Sequence, residues 1–251
     1  MKKGKRYHCL WSGGLDSTFM IQHLLNLNPN NSVTCSYVEI VNNKAKTKME
    51  LEAIDKMVPI FKDLYKQRFD YIGVSYRAEV VTYNKFNPLV QVPIWLAAVI
   101  SSTPDRTDEV CIGYVMNDCA ISYLSDIKNI VKSYRKGMSP TFPKIDFPLT
   151  KHNKEMLSDS FNGGLIAELQ QHVVWCEMPN IVNGKFEPCG KCVPCSHSPI
   201  CKYKKWDSLN KKSDFCEVVN SIKEVQLEFD VVKDIGHPLG RVQSISQVGC
   251  S

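Results

Sequence analysis

Strand-like and helix-like runs alternate from residue 6 to residue 171, and that alternation restricts the fold more than any other feature of the chain. RYHCLW (6–11), SVTCSYVEIV (32–41), FDYIGVSY (69–76), EVCIGYVM (109–116) and PKIDFPL (143–149) are short, apolar and rich in β-branched or aromatic residues, as strands are. Between them the apolar positions take helical spacing. Met20, Leu24 and Leu27 mark a helix at 17–27, and Ile54, Met57, Val58, Phe61, Leu64 and Tyr65 mark one at 46–67, where Pro59 predicts a kink. The nearly all-apolar run 88–102 predicts a buried helix, and 121–137 and 151–171 predict two more, the last interrupted at Gly163-Gly164. Strands alternating with helices of this length predict an α/β fold, a doubly wound parallel sheet covered on both faces.

From about residue 172 the pattern gives way to a segment rich in cysteine, proline and glycine, which predicts three parts: a main domain at 1–171, a metal-binding segment at 172–202 and an extension at 203–251. The extension contains a strand-like VQLEFDVV (225–232) and a turn at HPLG (237–240) but no motif with a chemical meaning. An apolar content of 43% and a charged content of 23% argue against wholesale disorder. No apolar run reaches the roughly 18 residues of a membrane span, and MKKGKR leads into a strand, so a cytoplasmic protein without membrane attachment is expected. The net charge of +5 decides little; the lysines of KYKKW (202–206) and NKKS read as solvated surface or as contacts to an acidic partner.

The first strand ends in WSGGLDS (11–17), which feeds the first helix. A glycine loop at a helix N-terminus is an anion site, because the first-turn N–H groups lack partners and glycine lets phosphate approach the backbone. Ser12 and Ser17 add hydroxyl donors. Asp16 would repel phosphate unless a cation lies between them, which predicts magnesium together with a nucleotide, or unless it serves the helix start. The loop has neither the lysine of a Walker loop, nor G-x-G-x-x-G, nor the first glycine of a nucleophile elbow, where Leu10 stands. A strand-to-helix turn capped by serine and aspartate is the alternative to nucleotide binding.

SGGLDS resembles the SGGxDS loop of the adenylating ATP pyrophosphatases, which cleave ATP between its α and β phosphates. That resemblance implies an adenine nucleotide alpha hydrolase-like fold, with nucleotide contacts along Leu10, Trp11, Ser12, Gly13, Gly14, Leu15, Asp16, Ser17 and Thr18. Asp16 and Ser17 would be catalytic, and Leu10 and Trp11 would lie near the adenosine end.

The chain has 11 cysteines, an odd number that argues against a disulfide framework in a chain with no evident secretory signal. Cys176, Cys189, Cys192 and Cys195 form C-x12-C-x2-C-x2-C, a spacing that lets four thiolates converge on one ion. Zinc in a structural role is expected, with Cys201 or His197 as substitute ligands and an iron–sulfur cluster or free thiols as alternatives. The loop and this cluster together resemble 7-cyano-7-deazaguanine synthase, over roughly residues 7–196. KTKMELEAIDKM stands where that family has a charged helix, IGYV precedes Asp118, and FPLTKHNKEML stands at its PL-x-x-x-T-K-x-E segment, with Lys151 and Lys154 as phosphate contacts or solvated lysines. The family's Gly-Gln is replaced by Glu39-Ile40 or Val41-Asn42, its Gly-Arg-Asn by Val90-Gln91-Val92-Pro93, and its substrate loop survives only as Asp118, Tyr123 and Asp126.

The resemblance implies a ligase with ATP, Mg2+ and Zn2+. It would adenylate the carboxylate of 7-carboxy-7-deazaguanine and, with ammonia, convert it through the amide to the nitrile. A homodimer is implied as well. Two rivals stand beside it: adenylation directed at a tRNA, DNA or protein acceptor, and a zinc-stabilised binding module. A tRNA thiolase would want a separate cysteine pair, for which Cys111 and Cys119 are the candidates, though each also reads as core.

Overall fold

The computed structural model describes residues 3–40, 43–78, 88–116, 118–159 and 162–196, and only the backbone at 88–93, 119, 193 and 196. Strands β1 (Arg6–Leu10), β2 (Ser32–Ile40), β3 (Phe69–Ala78), β4 (Glu109–Cys111) and β5 (Lys144–Asp146) form one sheet in the order β3-β2-β1-β4-β5, parallel at every pairing. The chain runs from β1 outward to β2 and β3, then crosses back to β4. The strand order therefore reverses beside β1, and in open parallel sheets ligands bind past the strand ends at such a switch point.

Helices α1 (Leu15–Leu27) and α2 (Lys44–Tyr65) cover one face of the sheet, and α3 (Pro88–Ser102) and α4 (Leu124–Gly137) cover the other. Alternation along β1 assigns Tyr7, Cys9 and Trp11 to the first face, against Met20, Ile21, Ile54, Met57 and Phe61, and Leu10 to the second, against Ala98, Val99 and Ile127. The fold is the doubly wound parallel α/β architecture that the alternation predicts. Cys35, Cys9 and Cys111 lie side by side in register across β2, β1 and β4, all buried, and serve as small apolar residues beneath α1.

Several elements differ from their sequence-based outlines. The strand expected at 109–116 ends at Cys111 and continues as an irregular stretch, and that expected at 143–149 spans only Lys144–Asp146. The helix expected at 151–171 is replaced by α5 (Lys154–Ser158) and α6 (Ala167–Gln170), separated by turns. Gly163 has φ +88°, and a Cβ at Gly164 would lie 2.6 Å from the Asp159 carbonyl oxygen, so the chain reverses there rather than continuing a helix. A 3-10 turn at Cys119–Tyr123 precedes α4, and Leu64, expected on the buried face of α2, is exposed.

The cysteine segment contains a hairpin, β6 (Asn180–Val182) and β7 (Lys185–Glu187), and a short helix, α7 (Val193–Ser196). Asn183 and Gly184 both have positive φ, 50° and 76°, the conformation a two-residue hairpin turn requires. Cys201, His197 and the elements expected at 225–232 and 237–240 lie outside the described residues, as do Val41 and Asn42.

Candidate functional site

The glycine loop joins the end of β1 to α1 at the switch point. Gly13 has φ +71°, and Gly14 occupies the N-cap of α1 without a side chain to cap it, so the first-turn amides stay open to an anion. Thr18 N–H closes the first helical turn onto the Gly14 carbonyl at 3.0 Å. The Ser12 and Ser17 hydroxyls lie 3.2 Å apart, and Ser17 Oγ donates to the Gly14 carbonyl at 3.3 Å, which gathers both hydroxyls at the loop. Behind them the backbone is tight. A Cβ at Gly113, just past β4, would lie 3.1 Å from the Cα and the amide nitrogen of Ser17.

Of the residues expected to contact nucleotide, Leu10, Trp11, Leu15 and Thr18 have buried side chains. Trp11 meets Phe61, Phe69 and Tyr71 edge-on and donates from Nε1 to Thr18 Oγ1 at 3.0 Å. These side chains shape the walls on which the loop rests. Ser12, Gly14 and Asp16 are half-buried, and Gly13 and Ser17 are buried.

Asp16 sits in the first turn of α1 and takes Lys154 as an ion pair at 3.1 Å from Oδ2, while its buried Oδ1 has no hydrogen-bond partner. Asp118 lies close enough for the two carboxylates to repel each other. Burial, then the Asp16 charge, push the Asp118 carboxyl up to about 6, against the pull of Lys154 and the Val115 amide at 2.8 Å. Burial pulls the Lys154 ammonium down, and the two aspartates outweigh it, so the net shift is upward. Asp118 and Lys154 enter the sequence reading only through the family resemblance, because a single aspartate and a helix-start lysine carry no local signal. Lys151 is exposed, and Tyr123 and Asp126 lie at the surface. Cys111 is buried at the end of β4, its thiol pushed well up by its neighbour Cys9 and by burial, so it is core. The Cys119 side chain lies outside the described residues.

The sulfurs of Cys176, Cys189, Cys192 and Cys195 all lie within 4.8 Å of one another. Cys189 and Cys195 are 3.9 Å apart, and Cys192 and Cys176 are 4.0 Å apart. A tetrahedral zinc ion with Zn–S bonds of about 2.3 Å spaces its sulfurs about 3.8 Å apart, so the thiols are arranged as one small ion needs. The amides of Lys191 and Cys192 donate to Cys189 Sγ at 3.4 and 3.3 Å and lower that thiol to about 6, while burial pushes Cys176 and Cys195 up. A bound cation is what makes four adjacent thiolates compatible.

Among the described residues no helix is long and apolar enough to cross a membrane. No protein-family model and no curated protein matches the sequence. Among solved structures the chain is similar to the U34-tRNA thiolase NcsA from Methanococcus maripaludis with its 4Fe-4S cluster, at 18% identity and a TM-score of 0.42, over 97% of this chain and 80% of that one.

Proposed function

We propose that this protein is an ATP-dependent adenylating enzyme that activates a carboxylate at the Ser12–Ser17 loop. One observation carries the reading. The helix N-terminus at the switch point carries Asp16, which pairs with Lys154 at 3.1 Å, is approached by Asp118 closely enough for the two carboxylates to repel, and keeps one buried carboxylate oxygen without a hydrogen-bond partner. Amides and hydroxyls suit phosphate, and the paired carboxylates suit a hydrated magnesium ion between them and it. When bound, magnesium would neutralise charge on the departing pyrophosphate. The Ser12 and Ser17 hydroxyls and the first-turn amides would hold that pyrophosphate, and Lys154 would supply a further positive charge beside Asp16.

In the reaction, a carboxylate oxygen attacks the α-phosphorus of ATP and pyrophosphate leaves. Ammonia then displaces AMP to give an amide. A second adenylation, on the amide oxygen, followed by loss of AMP and protons, gives a nitrile. The order of loop, charged helix and cysteine cluster supports 7-carboxy-7-deazaguanine as the acceptor, and the arrangement of the cysteines supports structural zinc. Four cysteine ligands leave zinc no open position for chemistry.

Pyrophosphate release from ATP, followed with 7-carboxy-7-deazaguanine and ammonium, tests the reading. Asp16→Ala is expected to lower the rate about 100-fold or more, and unchanged release would overturn the loop assignment. Mass spectrometry should show amide and nitrile. Activity that appears only when tRNA or protein is added would move the acceptor to a macromolecule.

A further inference from the structure

The backbone just before the first cysteine pairs with the nucleotide loop itself. Val174 N–H donates to the Gly13 carbonyl at 3.1 Å, and Gly14 and Val174 form an isolated parallel bridge. Cys176, a candidate metal ligand, is only two residues further on. A second connection runs through the N-terminal half of α2. Its residues Glu50, Ala53 and Ile54 lie under Gly13, where a Cβ would be 3.1 Å from the Glu50 carbonyl oxygen. Its Met49 packs with Cys176 and Cys195. Lys46 joins the two parts, ion-paired with Glu177 beside Cys176 and lying 3.8 Å from Glu50, which accepts from Tyr37 Oη at 2.6 Å. Asn43, the N-cap of α2, donates from Nδ2 to the Glu177 carbonyl at 3.2 Å.

The Val174 contacts lie on the loop itself, and those of Glu177 reach it through the N-terminal half of α2. Gly13 is held in a conformation other residues rarely adopt, and the described hydrogen bond to its carbonyl comes from Val174. We infer that the cysteine segment is a positioning element of the nucleotide site: a metal ion on the four cysteines holds Val174 and Glu177 in place, and they hold the loop in its anion-binding shape. The inference rests on the proposed metal and nucleotide sites. By linkage, the metal and the nucleotide then raise each other's affinity. Val174 and Glu177 are positioning residues, distinct from the groups that would meet phosphate.

Hydrogen exchange gives a readout that needs no nucleotide. In zinc-loaded protein, peptides covering 11–18 and 172–178 should be protected. Stripping the metal with a chelator should make both exchange about 10-fold faster or more, while peptides from β2 and β3 keep their protection. Val174→Pro removes the N–H that bonds Gly13 and leaves all four cysteines. It should deprotect 11–18 with one zinc retained per chain, and raise the Kd for Mg-ATP about 10-fold. Glu177→Gln, a milder change that keeps side-chain size, should shift both readouts in the same direction.

Protection at 11–18 that survives both metal removal and these substitutions would overturn the inference, as would a chain that takes up no zinc. If Mg-ATP binds to none of the forms, the adenylation reading fails, and the exchange of 11–18 still decides whether the segment positions the loop.

Discussion

Gly113 shows how one residue can constrain a site it does not join. It follows β4, and its missing side chain lets the strand end approach the start of α1, where a methyl group would strike the Ser17 backbone at 3.1 Å. Gly113→Ala is expected to cost about 1–3 kcal/mol of stability through overpacking and to lower ATP turnover, read by thermal melting and pyrophosphate release. Gly137→Ala meets nothing within 4 Å and should leave turnover unchanged. His8 supplies a different test. It is fully buried on β1, with Nε2 2.8 Å from Ser36 Oγ, and burial lowers it from 6.5 to about 4. Above pH 6.5 the imidazole is neutral in both the folded and unfolded chain and stability is complete. As pH falls from 6.5 toward 4, the unfolded chain takes up a proton that the folded one refuses, and stability drops by about 3 kcal/mol from this residue. Denaturant melts of His8→Gln across that window should show a shallower loss than the parent chain. The sequence shows only a histidine within an apolar strand run; its burial and the lack of a partner for Nδ1 come from the structure.

At the scale of elements, the strands and long helices were legible, because apolar runs and the 3.6-residue period are local signals. The faces of α2 were legible only in part. Phe61 lies between Trp11 and Phe69, with ring centroids at 5.5 and 4.8 Å, whereas Leu64 on the following turn points to solvent. Phe61→Ala is expected to cost about 3–5 kcal/mol, while Leu64→Ala should cost under about 0.5 kcal/mol, measured by denaturant unfolding. Periodicity put both on one face, but the sheet covers only part of it. The helix expected at 151–171 gives way to two short helices for a related reason. Its apolar residues Leu157, Leu165 and Leu169 are all buried, yet they reach the core from two short helices and a turn. A spacing of buried positions does not reveal whether the backbone between them is continuous.

At the scale of the whole molecule, the cysteine segment has little core of its own among the described residues, where Met49, Val174, Trp175 and Phe186 are the apolar residues that pack with its cysteines. A metal ion on the four cysteines, as proposed, would supply the order that so small a core does not. Cys189→Ser should abolish stoichiometric zinc by metal analysis and expose 176–196 to proteolysis, with the sheet still folded by circular dichroism. The sequence by itself determined the α/β class, the position of the glycine loop after the first strand and the cysteine spacing, because each depends on residues adjacent or periodic along the chain. Only the tertiary structure decided that Lys154 and Asp118 converge on Asp16, that Trp11 turns into the core, and that Val174 ties the cysteine segment to Gly13. Those contacts join residues roughly 100 or more positions apart, or, for Trp11, depend on the face of a twisted sheet on which the chain leaves its strand, and no local pattern encodes either.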